Sequence, residues 1–550
     1  MKNKKNMNKI AAALLTAAMT ASLLIGCGSS SGSSSASSSA STDGAATEAT
    51  DAAAEETVES TSTGGGDVVQ GVTSFTTFFN PYFQGTMIGY AWPCYEPLAY
   101  LHSDTQEYEA CLAESWEVDA DECSLTIHIR QGVTFSDGTT MDADDVYFSL
   151  NSRLVYGTQS NIGNPREVEK VDDYTVKVYW DSFSLNYELW VLPQYVYSVD
   201  AYEEHGGEDG GVDWLCNNML GTGPYVMAEF IPDVSLRFEK NDNYWGGETP
   251  DVNSYTWNVY SDNTTMLAAF LNGEIDAISS SDPTVMAQLE AAGYVGDIGP
   301  SVTTTQVYAI PLTLDESDPL YNQEVRQAIY LYGVDWDNLA VTAVGDKGYH
   351  VSAIGMPTSP FYDESLEQAS YDPEKAKEML AEAGYPDGFS TTIYSMAMVS
   401  AQTACLQAAL KELGIEADVV ETDFSTIQSE YLSGNTKNGI VFFIQVVYSD
   451  QQTDRYVKHF NPYNATASGT ATWSDEICEL WNTFAASATI EEQEANLLAY
   501  TNQYINVDSI MWPVSNADTY YYYQDWFHQD YMANCVSCGY DPFEITADVH

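Results

Sequence analysis

Positive charge is what this chain most conspicuously lacks: 19 Lys and Arg stand against 80 Asp and Glu, for a formal net charge of −61. Contacts to phosphate need clustered Lys and Arg, so no nucleic-acid partner is expected. Anionic ligands would need a local site that overrides the field, whereas cationic or neutral solutes are easier to hold. The acid excess also suits the solubility of an exported chain. The seven histidines are scattered without paired spacing, which argues against a metal cage for nickel or zinc. Cys535-Val-Ser-Cys538 has ligand spacing but no second pair to complete a zinc site. The body has no GxSxG and no HExxH, so the usual signatures of a serine or zinc hydrolase are missing. An acid pair of the glycosidase kind stays open at this level. There is no internal repeat, and no apolar run after residue 27 is long enough to span a bilayer. No cofactor is expected.

What the N-terminal end does have is a short apolar stretch. Lys2, Lys4, Lys5 and Lys9 precede the uncharged run Ile10 to Ile25, closed by Leu24-Ile25-Gly26-Cys27. A basic start, a brief apolar segment and small residues before a cut describe a secretory leader over 1–27. Its end looks like a bacterial lipobox, which makes Cys27 the lipidated mature N-terminus and ties the protein to the outer face of the cytoplasmic membrane. Residues 28–66 are Ser, Ala, Thr, Gly and Glu without an aromatic. Such a segment buries too little to offset its ordering entropy, and reads as a flexible tether with a span of roughly 30–40 Å.

The remaining residues exceed one ordinary core, so two or three domains are expected. They are rich in aromatics, the whole chain holding 39 Tyr, 12 Trp and 19 Phe. Phe75 to Tyr82 ends a strand in an aromatic loop with an Asn80-Pro81 turn, and a helix is expected over 87–94. From Ala113 to Trp180 the chain is β-rich: Leu125, Ile127 and Ile129 alternate with polar residues, as do Tyr174, Val176, Val178 and Trp180. Asp142 with Asp145 forms a variant capping box between these strands. A helix over Thr264–Leu271 stops at Gly273. The last region alternates helices over 324–332, 373–383 and 402–413 with strands over 415–420 and 440–447, an α/β pattern. The eight cysteines after Cys27 can pair in an exported protein, with no connectivity readable from spacing.

Nine segments occur in a familiar order, including Leu112-Ala-Glu-Ser-Trp116, Thr126 to Thr139, Asp144 to Leu150, Gly221-Thr-Gly-Pro-Tyr225, Asn241 to Gly247, Leu271 to Asp276, Val325 to Ile329, Tyr371 to Ala376 and Ala381 to Gly388. Together, from about 68 to 530, they resemble the extracellular solute-binding proteins of ABC importers that include the oligopeptide, dipeptide and nickel binders. The resemblance implies an α/β, two-lobe periplasmic-binding-protein-like fold with an extra β-rich subdomain and a ligand cleft between lobes. It implies a first lobe at 67–100, 221–308 and 506–550, an inserted part at 101–220, and a second lobe at 309–505. It also implies a monomeric binder without catalysis that hands an oligomeric solute to permease subunits. In peptide-binding members an aspartate in a Trp-x-x-Asp-Tyr-like segment pairs the peptide amino group. Here Gln445 stands at the Trp position and Tyr448 at the Asp position, with Asp450 two residues on. Phe78, Phe79, Asn80 and Trp512 are further candidates, and Tyr520 to Tyr523 offer aromatic faces of the kind that stack on sugars, so an oligosaccharide is the alternative to a peptide.

Overall fold

A computed structural model describes residues 66–73, 93–101, 107–156, 165–183, 185, 187–298, 303–352, 362–431, 434–448, 473–529 and 545–547. The chain enters through β1 (Asp67–Val72) and then pairs β2 (Ala99–Leu101) with β3 (Tyr108–Ala110). An antiparallel sheet follows, made of β4 (Ala113–Asp119), β5 (Ser124–Ile129), β6 (Glu167–Asp172) and β7 (Thr175–Tyr179) in the order β4-β5-β7-β6. Next come β8 (Tyr225–Ile231), β9 (Ser235–Lys240), β10 (Ser254–Val259) and β11 (Ala277–Ser280), then β12 (Thr303–Pro311), β13 (Ser390–Ser395), β14 (Glu416–Glu421) and β15 (Ile440–Tyr448). The chain ends with β16 (Trp512–Asp518), β17 (Tyr520–Tyr523), β18 (Phe527–Gln529) and β19 (Ile545–Ala547).

Two mixed sheets organise the body. One is β17-β11-β1-β10-β9-β8, with β1 parallel to both β10 and β11. The other is β14-β13-β15-β12-β16, with β13 parallel to β14 and β15. Each has its own buried apolar core, Leu236, Phe238, Tyr255 and Trp257 in the first and Ile393, Leu406, Leu410, Val441 and Phe442 in the second. This is the expected pair of α/β lobes. The four-stranded sheet forms a third core with helix Ala143–Tyr156, in which Leu125, Ile127 and Ile129 are buried as their alternation predicts.

The lobe boundaries differ from the expected ones. β12 and β16 both belong to the second sheet, pairing Thr304 with Asp518 and Gln306 with Asn516. Residues 303–308 and 506–518 therefore lie in the second lobe, and among the described residues the chain passes from the second sheet to the first at Thr519. The inserted part is also shorter than 101–220. Its helices Val199–Glu204 and Gly211–Asn217 place Tyr202 and Leu215 in the first-lobe core.

Local chemistry explains most element ends. Asp142 accepts from the Asp144 N–H at 2.7 Å while Asp145 accepts back from the Asp142 N–H at 3.0 Å, the reciprocal cap foreseen in the sequence. Asp372 caps helix Pro373–Glu382 through the Lys375 N–H. The expected helix 324–332 is regular only over Gln323–Gln327 and widens over Ala328–Gly333 into a π-turn. Helix Gln323–Gln327 is fastened by Arg326, which is nearly buried. Its guanidinium donates to the Asp508 carbonyl at 2.9 and 2.7 Å and to the Leu320 and Tyr321 carbonyls at 2.8 Å. Replacing it by Met would strand those carbonyls away from water. Arg326→Met is expected to lower stability by about 3 kcal/mol, read from the midpoint of urea unfolding at unchanged slope.

Candidate functional site

The strand registers define where the lobes meet. On the first-lobe side, Asp297 exchanges both backbone hydrogen bonds with Tyr521, at 2.9 and 2.7 Å. On the second-lobe side, Thr304 is paired with Asp518. Between the two sheets the returning chain has only Thr519, since Tyr520 already pairs with Ser280. The C-terminal ends of β1, β10 and β11 lie at this junction, because Ser280 pairs with Tyr520. The C-terminal ends of the parallel strands β13, β14 and β15 point to it from the other side, because Tyr448 pairs with Thr303. In open α/β sheets ligands bind in the crevice outside the carboxyl ends of the strands. Here both lobes turn that edge to the same junction.

Named side chains stitch the junction. Asp518 accepts from Thr304 Oγ1 at 2.5 Å and from the Tyr349 hydroxyl at 2.8 Å. Lys347, in the second lobe, donates to Glu290 of the first at 2.6 Å, and its Nζ lies 3.9 Å from the Tyr520 ring centroid. Gly345 closes helix Trp336–Val344 with φ 96° and ψ −174°, a backbone region essentially reserved for glycine. A Cβ built there would sit 2.7 Å from Pro283 Cβ at the start of first-lobe helix Pro283–Ala291. The two lobes are thus in backbone-level contact beside the crossing. Sequence reading passed over this Gly345-Asp-Lys-Gly348 turn, although a glycine-bounded turn after a helical run was the available signal.

The candidate residues fare unequally. Gln445 pairs through its backbone with Gln306, and Tyr448 with Thr303. Register therefore puts both at the junction edge of the second sheet. Phe78, Phe79 and Asn80, residues 87–92 of the helix expected over 87–94, Asp450, Cys27 and the Cys535/Cys538 pair lie outside the described residues, while Pro93 and Cys94 form a turn. Trp512 is corrected: it is fully buried in the second-lobe core, and its indole N–H donates to the Ser509 hydroxyl at 3.0 Å. A ring packed on both faces offers no platform to a ligand. In the tyrosine run Tyr522 is buried and Tyr520 is covered by Lys347. Among the described residues Cys94, Cys111, Cys123 and Cys405 are free thiols. Among the described residues there is no group of three His, Cys, Asp or Glu that could hold a metal ion, and no helix long and apolar enough to cross a membrane.

Titratable groups near the junction behave as structural ones. His350 stacks on Trp336 with ring centroids 5.9 Å apart. Burial pulls its pKa down to about 4. Glu367 receives the Ser352 N–H on both oxygens at 2.9 Å, yet burial still pushes its carboxyl up.

Two α/β lobes that turn the carboxyl ends of their strands to one junction have the architecture of a two-lobe binding protein. The comparisons place it more narrowly. Residues 107–472 match the bacterial extracellular solute-binding proteins, family 5 Middle, and the chain belongs to that family. The glutathione-binding protein GsiB of Salmonella paratyphi A is 31% identical over 393 residues, covering 68% of this chain and 74% of the relative. Heme-binding protein A of Haemophilus influenzae is 26% identical over 376 residues, covering 63% of this chain and 68% of the relative. In fold, the periplasmic binding protein DppA of Helicobacter pylori, solved with the peptide STSA, superposes with a TM-score of 0.72 at 20% identity, covering 88% of this chain and 98% of its own. The chain is therefore, in class, the substrate-binding component of an ABC importer.

Two outcomes follow from the junction. Gly345→Ala is expected to cost about 1–3 kcal/mol and to change the lobe angle read by small-angle scattering, since the lobes must part to admit the methyl group. His350 carries a folded pKa below its unfolded value of 6.5, so the unfolded state takes up a proton first as pH falls. Stability is accordingly expected to decline between pH 6.5 and about 4 and to level off below. His350→Phe, which keeps the stack on Trp336, should flatten that part of a denaturation-versus-pH curve.

Proposed function

We propose that this protein is a monomeric, lipid-anchored receptor that captures oligopeptides outside the cell by lobe closure and presents them to an ABC permease. The family match carries the reading, and the strand ends that both lobes turn to the junction supply its mechanism. A solute that touches both lobe edges binds the closed arrangement better than the open one, and the population shifts toward it. Peptide is preferred as ligand because a glutathione binder and a peptide-bound protein stand among the relatives and fold neighbours. The sugar alternative loses an aromatic platform with the burial of Trp512. Anchorage rests on Leu24-Ile25-Gly26-Cys27 and the tether that follows it.

Native mass spectrometry of protein purified without unfolding tests the ligand class. A set of retained peptides is the expected result. A retained sugar or tetrapyrrole, or conversion of any added candidate into product, would overturn the peptide-binding reading. In the native host Cys27→Ala is expected to move the protein from the membrane fraction to the medium.

A further inference from the structure

The second sheet is stepped at the edge that faces the junction. β15 is level with β13 where Val441 pairs with Tyr394, but it runs on to Tyr448. At about 3.3 Å per residue it projects ~20 Å beyond the end of β13. The short strands β13 and β14 end together, with the Thr422 N–H donating to the Ser395 carbonyl at 2.8 Å. Each then turns outward, through Ala397–Val399 and through Phe424–Thr426. These two turns form a ledge beneath the long strands.

The ledge carries exposed apolar side chains where solvent would favour polar ones. Met398 is 73% exposed and Phe424 is 43% exposed. The Phe424 ring stacks on Phe443 of β15 with centroids 6.2 Å apart, which leans it across the end of β13. Neither turn contains Lys or Arg, while Glu421 and Asp423 stand beside Phe424. Asp423 accepts from the Ser425 hydroxyl and from the N–H and hydroxyl of Thr426, and these donors hold its carboxyl down at about 2. The ledge is therefore an apolar surface with a permanently anionic rim, and carries no group of its own to neutralise a ligand carboxylate.

We infer that Met398 and Phe424 form a selectivity ledge in the cleft that receives an apolar side chain of the bound peptide and disfavours an acidic one. This rests on the peptide-binding reading above and names the part of the ligand that meets the second lobe. A flexible thioether beside an aromatic face adapts to apolar groups of different shape. The acidic rim repels a carboxylate at the same place and tolerates a cation at the ledge margin.

The test is calorimetric titration of the full-length protein with hexapeptides of Ala, Gly and Ser in which a single Leu, Asp or Lys is moved along the sequence. At one position Leu is expected to bind about tenfold or more tighter than Asp, the range that one apolar contact sustains. Phe424→Ser should reduce that preference, and Met398→Lys should bring Asp to within about threefold of Leu. Both side chains are exposed, so the variants are expected to keep the wild-type unfolding midpoint, measured alongside. Binding of the panel with no discriminating position, or with the same discrimination in both variants, overturns the ledge and leaves the peptide reading standing. Failure of every peptide to bind removes both. Variants that change self-association in sedimentation while leaving peptide preference intact would assign the surface to a second copy of the chain and overturn the inference.

Discussion

The lobes are joined at Thr519 by a single intervening residue, and most of the molecule's behaviour follows from that. From Asp518 to Tyr520, each paired in a different sheet, the returning chain has only Thr519 in between. Two virtual bonds of at most ~3.6 Å each keep those anchors within about 7 Å. Separation of the lobes is thereby excluded there, and relative motion reduces to rotation about a pivot at Thr519. Lys347 sits on the ring of Tyr520 and on Glu290, so the pivot is also where the lobes are held by charge.

Among the described residues several of the few cations have a visible structural task. Arg326 satisfies carbonyls inside the second lobe. Arg130 donates to the Cys111 carbonyl at 2.7 Å and lies 5.8 Å from the Trp245 ring, in the inserted part. The neighbouring Glu96 is buried and accepts from the Tyr244 hydroxyl at 2.6 Å and the Trp245 indole at 2.7 Å. Burial raises its pKa despite those donors. Cations engaged in this way are not available to a ligand carboxylate. The same bias that excludes nucleic acid at the level of composition therefore reappears at the described edge of β13 and β14, which offers acids and apolar groups.

Local signals in the sequence proved readable where the physics is local. The alternation of Leu125, Ile127 and Ile129, the Asp142/Asp145 cap and the Asp372-Pro373 helix start each depend on neighbours within a few residues. Lobe membership does not. β16 joins β12 across some 200 residues of chain, and nothing inside Trp512–Asp518 tells which sheet it will complete. That is why 506–518 was assigned to the wrong lobe, and why Trp512 could pass for a ligand platform: an indole in an apolar strand has the same signature in a core and in a cleft. Met398 and Phe424 are the reverse case: their apolar character suggests burial until the lengths of β13 and β15 are compared.

The energetics of closure limit which contacts can matter. A half-exposed ion pair such as Lys347–Glu290 is worth about 1 kcal/mol or less, enough to bias two lobe angles by no more than about fivefold. Driving a two-state equilibrium from about 1:99 to 99:1 takes roughly 5.5 kcal/mol of differential binding. At about 25 cal/mol per Å² that equals some 220 Å² of apolar surface covered only in the closed state. The pivot contacts cannot supply this, so under the proposed function the ligand must. An exposed aromatic and a thioether at the crevice are surfaces of the kind that could be covered on closure, which ties selectivity for an apolar side chain to the free energy that closes the lobes.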